Sequence, residues 1–572
     1  MKKKIGCLIT ACFVVLANTM AQKVITIPPG DGDMTKEIQV GIDEAKRYQG
    51  DSIVINLCNA DYHIYRKSAT PQVYYASNTM SEAENPDQTK HIGLWLKDME
   101  HITIDGRGAR IITHGEMTPF VIDQCRQVTF RNFTLVAADP TVPEMTVREV
   151  DDRGMTVEMH SSSNYQIDGK ELRFIGEGWS FSQGIAQIYD PQQDIVWRSW
   201  SPLSDIQQVE ELEPRVVRLE YGHKPDVLPG QVFQMRDAIR DEVSGLIQYS
   251  KDITLENVHL AFLGNFGVLS QLSENITYRN LSVEPELGSG RTCAAFADIL
   301  HFSGCRGKIV VEDSRFSASQ DDAINIHGTH LQVTGFPASD QIVVSYMHPQ
   351  TYGFQSIFKG DELAWVDVHS LLPSASFRVK NVEKINLREW RITLDRPVPS
   401  SLKDVGKWVV ENISYTPEVL IRHNLFSHIP TRGILVTTRN KVLIEGNVFF
   451  RPQMSSILIA DDARSWFESG AVKEVTIRNN RFIEGNHPLI LIAPENDENR
   501  GCVHGNIRIE NNYFQMKEMQ PAINAKSVEQ LIIEHNNFQL PESGILEQLV
   551  QTKECGSVSV QANQIIVKHK NK

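Results

Sequence analysis

"VLIRHNLFSHIPTRGILVTTRNKVLIEGNVFF", residues 419–450, states one phrase twice: a short strand-like apolar run, then an Asn, and a Phe two residues later. The phrase is VLIRHNLF at 419–426 and VLIEGNVF at 442–449, and it returns as VTIRNNRF (475–482), IRIENNYF (507–514) and LIIEHNNF (531–538). Its asparagines, Asn424, Asn447, Asn480, Asn512 and Asn536, are 23, 33, 32 and 24 residues apart, which implies a basic period near 23 with loop insertions. Looser copies stand upstream as VTFRNFTL (128–135), ITLENVHL (253–260), ITYRNLSV (276–283) and IVVEDSRF (309–316). Each copy has the period of two that marks a strand, and nothing between copies has the length or periodicity of a helix. Units of strand and turn that cannot bury their own apolar face stack into a solenoid. The expected fold is therefore all-β, a right-handed parallel β-helix of the pectin-lyase-like kind. The Asn residues should form a ladder at a corner and the Phe residues a stack inside. A β-propeller would need longer blades built from antiparallel hairpins.

The ends and interruptions of the rhythm divide the chain. Residues 1–21 carry Lys2, Lys3 and Lys4, an apolar run and "NTMA", the layout of a signal peptide cut after Ala21. The expected destination is outside the cytoplasm, periplasmic or extracellular. "ITAC", ending at Cys12, offers lipoprotein anchoring as the alternative. Residues 22–137 should hold a cap and the first coils, with Ile38, Ile42 and Ala45 on one face of a helix that Gly50 stops and that plugs the first rung. Residues 138–243 and 331–415 lack the phrase but are rich in strand alternations, such as "RVVRLEYG" and "WRITLDRP"; two small inserted β subdomains are expected there. The second follows directly on "SASQDDAINIHG" (317–328) and is expected to wall the site described next. Residues 244–330 and 416–572 supply the remaining coils.

Composition narrows the partners. A hydrophobic fraction of 41% and an aromatic fraction of 8% belong to a folded chain, and no later segment approaches the ~20 uninterrupted apolar residues of a membrane span. The formal charge of −14 becomes −17 without the leader's three lysines, which argues against nucleic acid or an anionic polymer as partner. Six scattered cysteines beyond the leader, without CxxC spacing, suggest neither a zinc site nor a disulfide framework.

"SASQDDAINIHG" places two like charges, Asp321 and Asp322, at the mouth of a buried strand, where burial and mutual repulsion both cost. Aligning coils on their inward residues matches Leu300 and Phe302 with Ile324 and Ile326, and with Ile434 and Val436. Asp298, Asp322 and Arg432 then share one position on three successive rungs, which stack ~4.8 Å apart. Asp321 lies beside them, His301 and Asn325 match one another, and His327 follows. Clustered acids push each other's pKa values apart, so that one stays protonated while others ionise. Glycoside hydrolysis by inversion needs that division, with carboxyls ~6.5–9.5 Å apart. Asp321 is assigned as acid and Asp298 with Asp322 as the base pair; the exchange of Asp321 and Asp322 stays open. Asn325, His327, His301 and Arg432, together with Trp466 and Glu468 of the loop "DDARSWFESG", are the expected substrate-binding residues. No metal and no cofactor is expected, and oligomeric state is unreadable. Two other readings are a Ca²⁺-dependent polysaccharide lyase with Arg432 as base, and a non-catalytic glycan-binding β-helix.

At these residues the chain resembles glycoside hydrolase family 110, the bacterial α-1,3-galactosidases that include enzymes acting on the blood-group B antigen. The resemblance rests on the "PPGDGD" entry, "FADILHFSGCRGKIVVEDSRFSASQDDAINIHG", the two inserted regions, and the "SSILIADDARSWFESG" loop. It implies a parallel β-helix, metal-independent inverting hydrolysis and an oligosaccharide or glycoconjugate ending in a non-reducing α-galactoside. The set is also similar to the polygalacturonases, but the Gly-His-Gly and Arg-x-Lys signatures of that family are not reproduced.

Overall fold

The computed structural model describes residues 22–567 apart from Gln49 and His487. The leader and Cys12 lie outside the described residues. The chain is a parallel β-helix carrying two antiparallel insertions. Coils pair in register along one long sheet, with Val419↔Val442, Val442↔Val475, Val475↔Ile507, Ile507↔Leu531 and Leu531↔Val558. A second stack of short strands follows the corner, and a third sheet closes the coil through Ile434↔Ile457↔Ile490↔Ile523. The apolar members of the repeated phrase, among them Val442, Ile444 and Phe449, are fully buried between these sheets.

The corner explains the phrase. The residue before each ladder Asn has a left-handed backbone: His423, Asn479, Asn511 and His535 near φ 56°, and Gly446 at 66°. The turn points the next side chain inward along the stack. Asn424, Asn447, Asn480, Asn512 and Asn536 each donate Nδ2 to the Oδ1 of the next at 3.0 Å, and Asn563 extends the ladder by one rung. Each Nδ2 also reaches a backbone carbonyl, as Asn480 does to Ile444 at 3.0 Å. The buried amides are thereby satisfied. From Phe426 to Phe538 the rings stack with centroids 4.8–5.0 Å apart and planes within 8°.

The looser upstream copies differ by one position. Asn132, Asn257 and Asn280 themselves occupy the left-handed corner and form a separate, exposed ladder, with Nδ2···Oδ1 distances of 3.2 and 2.7 Å. Asn is the residue type that tolerates this backbone region best after Gly.

At the N-terminal end, helix Thr35–Ala45 buries Ile38, Ile42 and Ala45 against the first coil. Its Gln39 side chain exchanges two hydrogen bonds with the Trp95 backbone, at 3.1 and 2.9 Å, and so pairs backbone groups of strand Thr89–Lys97 with the capping helix. No described helix is long and apolar enough to cross a membrane.

The first insertion is built on a seven-stranded antiparallel sheet running in space from Ile195–Ser199 through Ile185–Asp190, Val232–Arg236, Glu144–Asp151, Gly154–Met159 and Val216–Glu220 to Gln208–Glu213. The second is a closed barrel. Strand Ile324–Ala338 leaves the coil directly into it and pairs with Gln341–Ser345 on one side and Trp408–Asn412 on the other. Glu389–Leu394, Pro373–Lys384 and Glu362–Asp367 complete the ring. The strand that bears Asn325 and His327 is thus shared between solenoid and barrel.

Candidate active site

The rung alignment expected from sequence is present. Leu300 pairs with Ile324 and Ile324 with Ile434; His301 pairs with Asn325. Just upstream, Ile299 N donates to Asp322 O at 3.0 Å and Ala323 N to Arg432 O at 3.1 Å, so Asp298, Asp322 and Arg432 stack at one position. Gly267, on the rung before, allows this approach: a Cβ there would lie 2.1 Å from the Asp298 carbonyl oxygen.

Asp298, Asp321 and Asp322 each offer an oxygen within 4.8 Å of the others. Two of the acids are chain neighbours and the third sits one rung away. Asp322 Oδ1 accepts from Arg432 N at 3.0 Å and from its Nε at 3.1 Å. Burial pushes the Asp322 carboxyl up to about 7 against the opposing pull of Arg432, with Asp321 and Asp298 adding to the rise. Asp298 is likewise raised to about 7, by burial first and then by Asp321. Burial and mutual repulsion thus favour the protonated form of both carboxyls. Asp321, the least buried of the three, faces Arg198 at 3.3 Å and Arg240 at 3.6 Å.

A cavity of about 340 Å³ opens over these acids. Asn325, Arg432, Trp466 and Glu468 line it, and Asn325 Oδ1 is buried there without a hydrogen-bond partner. Trp466 is 43% exposed and stacks on His348 at 4.3 Å. Its loop is shaped by Asp462, whose carboxylate accepts the backbone N–H groups of Arg464, Ser465, Trp466 and Phe467. Glu468 Oε1 accepts from Asn78 Nδ2 at 2.9 Å.

Two expected substrate contacts are placed differently. His301 and His327 are buried behind the acids and do not line the cavity. Inward and outward positions alternate along a strand, but both imidazoles find partners beneath the surface: Asp298 Oδ2 at 2.7 Å for His301 Nδ1, and each other at 2.8 Å. The expected wall is also different. The second insertion contributes Gln350 to the lining and His348 behind Trp466, whereas the first insertion and the loop after it supply Ile185, Arg198, Arg236 and Arg240.

Those arginines escaped the sequence reading. Arg236 is fully buried, its Nε on Gln320 Oε1 at 2.9 Å and its plane over the Phe296 ring, and burial lowers its pKa to about 10. Arg240 donates to Asn78 O at 2.8 Å and covers Phe266. They lie some 80 residues or more before Asp321 in the chain, and nothing periodic in "VFQMRDAIRDE" links them to it. The guanidiniums of Arg198, Arg240 and Arg432 place positive charge beside the acid trio.

Two family profiles match the insertions: GLAA-B beta-barrel domain I over residues 143–233 and GLAA-B beta-barrel domain II over residues 341–405. The chain is 43% identical to alpha-1,3-galactosidase A of Bacteroides thetaiotaomicron, over 97% of this chain and 99% of that protein. It is 36% identical to alpha-1,3-galactosidase A of Bacteroides fragilis strain YCH46, over 94% and 91%. It is 31% identical to alpha-1,3-galactosidase B of B. thetaiotaomicron, over 93% and 88%. An acid trio on adjacent coils, two inserted β modules of the matching kind and near full-length similarity together place this chain in the α-1,3-galactosidase family of glycoside hydrolases.

Proposed function

We propose that this protein is an exported, exo-acting α-1,3-galactosidase that releases terminal non-reducing galactose from blood-group B type glycans, and from linear α-1,3-galactosides, in a single inverting displacement. The observation that carries the reading is the acid trio under one small cavity. At about 340 Å³ it falls at the low end of ligand pockets, roughly 300–1,000 Å³, a size suited to a chain end rather than a long polymer. Oxygens of Asp298 and Asp322 no more than 4.8 Å apart can both hydrogen-bond one water at about 2.7 Å. That pair removes the water's proton as its oxygen attacks the anomeric carbon. Asp321, more accessible than the pair, protonates the departing glycosidic oxygen as the bond breaks, and Arg198 and Arg240 stabilise the carboxylate it becomes. Base and acid change the protonation of different groups, which is the division inversion needs. Trp466 offers an exposed ring for the apolar face of a sugar, and Asn325 a polar side chain in the cavity lining.

The test is to incubate the protein with B trisaccharide and with α-1,3-galactobiose and follow the released sugar by proton NMR. β-Galactose should appear before mutarotation, at a rate insensitive to EDTA. α-Galactose first would overturn inversion; an unsaturated, ultraviolet-absorbing product abolished by chelator would instead identify a lyase.

A further inference from the structure

Behind the acid trio, a chain of short contacts runs from one cavity acid to another. Asp298 Oδ2 meets His301 Nδ1 at 2.7 Å, His301 Nε2 meets His327 Nε2 at 2.8 Å, and His327 Nδ1 meets the Gly328 carbonyl at 2.6 Å. Beyond lies Glu468, with Oε1 3.4 Å from His327 Nε2, held there by Asn78 and by the antiparallel pairing of Glu468 with Thr329. Both imidazoles are almost fully buried.

Counting hydrogens decides what this chain holds. A carbonyl only accepts, so His327 Nδ1 carries a hydrogen. The other two contacts each need one as well, three in all. Two neutral imidazoles and a carboxylate contain two. The third proton has two places that keep His301 neutral, as its burial favours. It sits on Asp298 as a carboxylic acid, with His301 protonated at Nε2; or it sits on His327 as an imidazolium, with His301 protonated at Nδ1 and donating to an ionised Asp298. Conversion between them moves the Asp298 proton to His301 Nδ1 and the His301 Nε2 proton to His327 Nε2, with no gain or loss of protons.

We propose that His301 and His327 are positioning residues forming a buried proton relay through which Glu468 sets the ionisation of Asp298. This rests on the reading of Asp298 as part of the catalytic base. The Glu468 carboxylate favours the imidazolium on His327, and that state leaves Asp298 bare toward the water. Other charged or titratable groups facing the relay are Asp321, Asp322, Arg240 and Arg432 around Asp298, and Arg240, Arg432, His348 and Glu495 around Glu468. None of them bridges the two histidines.

A double-mutant cycle separates the relay from direct repulsion. Through space, the Glu468 charge raises the Asp298 pKa, so without a relay Glu468→Gln should move only the acid limb of kcat against pH, downward. With the relay, Glu468→Gln lowers the pH-independent plateau of kcat on α-1,3-galactobiose about tenfold with KM changed less than twofold. In the His327→Phe background the same substitution changes kcat less than twofold. An equal fall in both backgrounds overturns the relay, as does an unchanged plateau. If the wild-type protein releases no galactose, the functional reading fails first, and neutron diffraction from perdeuterated wild-type crystals still decides the relay. A deuteron on each of the three contacts is expected; one missing from any of them overturns it.

Discussion

At the residue scale, the acids of the trio owe their properties to neighbours contributed by distant parts of the chain. Asp321→Asn should lower kcat by about 10²- to 10⁴-fold while a non-hydrolysed galactoside still binds, since that is what removing one proton donor costs and Asn cannot replace it; isothermal titration beside turnover measures both. A glycan-binding module would show binding and no turnover in either protein. The raised carboxyls of Asp298 and Asp322 fix a pH dependence with a definite sign. Protonation disables the base, so kcat/KM should fall about tenfold per unit as pH drops below about 7. Stability runs the other way. A carboxyl whose folded pKa lies above its unfolded value of 3.8 binds its proton more tightly when folded, so its contribution is complete below about pH 4 and is lost as pH rises through 7. Asp298→Asn should therefore raise the melting temperature by about 1–3 °C at pH 8 and leave it nearly unchanged at pH 4, read by scanning calorimetry. A lower melting temperature at pH 8 would show that Asp298 is stabilised in its ionised form.

At the element scale, the solenoid is held by repetition of one corner. Asn480 accepts from the Asn447 amide and backbone N–H, and donates to Asn512 and to the Ile444 carbonyl. Asn480→Ala would leave several buried polar groups unpaired at once, each costing about 1–3 kcal/mol. A loss of about 3–5 kcal/mol in urea unfolding is expected, against about 1–2 kcal/mol for Asn257→Ala in the exposed upstream ladder, where Ala must carry the left-handed backbone. The inner ladder was legible because its residue types recur at fixed offset from an apolar alternation. The one-position shift of the upstream copies was not, because Asn suits both the left-handed corner and the inward position beside it, and only the backbone tells them apart. His301 and His327 misled for a related reason: strand alternation says which face a residue belongs to, but not whether a polar side chain on that face meets the cavity or another buried side chain.

At the scale of the whole molecule, the site is a composite. The coils align the acids, the Asp462-anchored loop presents Trp466 and Glu468, and the first insertion lays arginines over Asp321. Arg240→Ala should lower kcat/KM about 10- to 100-fold on both galactosides without changing the circular dichroism spectrum, because it removes a charge from the cavity and leaves the solenoid core untouched. Unchanged kinetics would mean that the coils alone make the catalytic machinery. The six cysteines among the described residues are free thiols, and packing and hydrogen bonds join the coils and insertions.

By itself the sequence determined the solenoid, the stacking of Asp298, Asp322 and Arg432, and the family. The first two follow from periodicity and from the rigid spacing of rungs, which turn chain position into spatial position; the family is carried by the resemblance of its motifs and by near full-length similarity. Only the tertiary structure decided that the first insertion arms the site and that two histidines sit behind it rather than in it. Those contacts join segments whose separation in the chain carries no period, and the burial that shifts Asp298 and Asp322 exists only once every segment has closed around them.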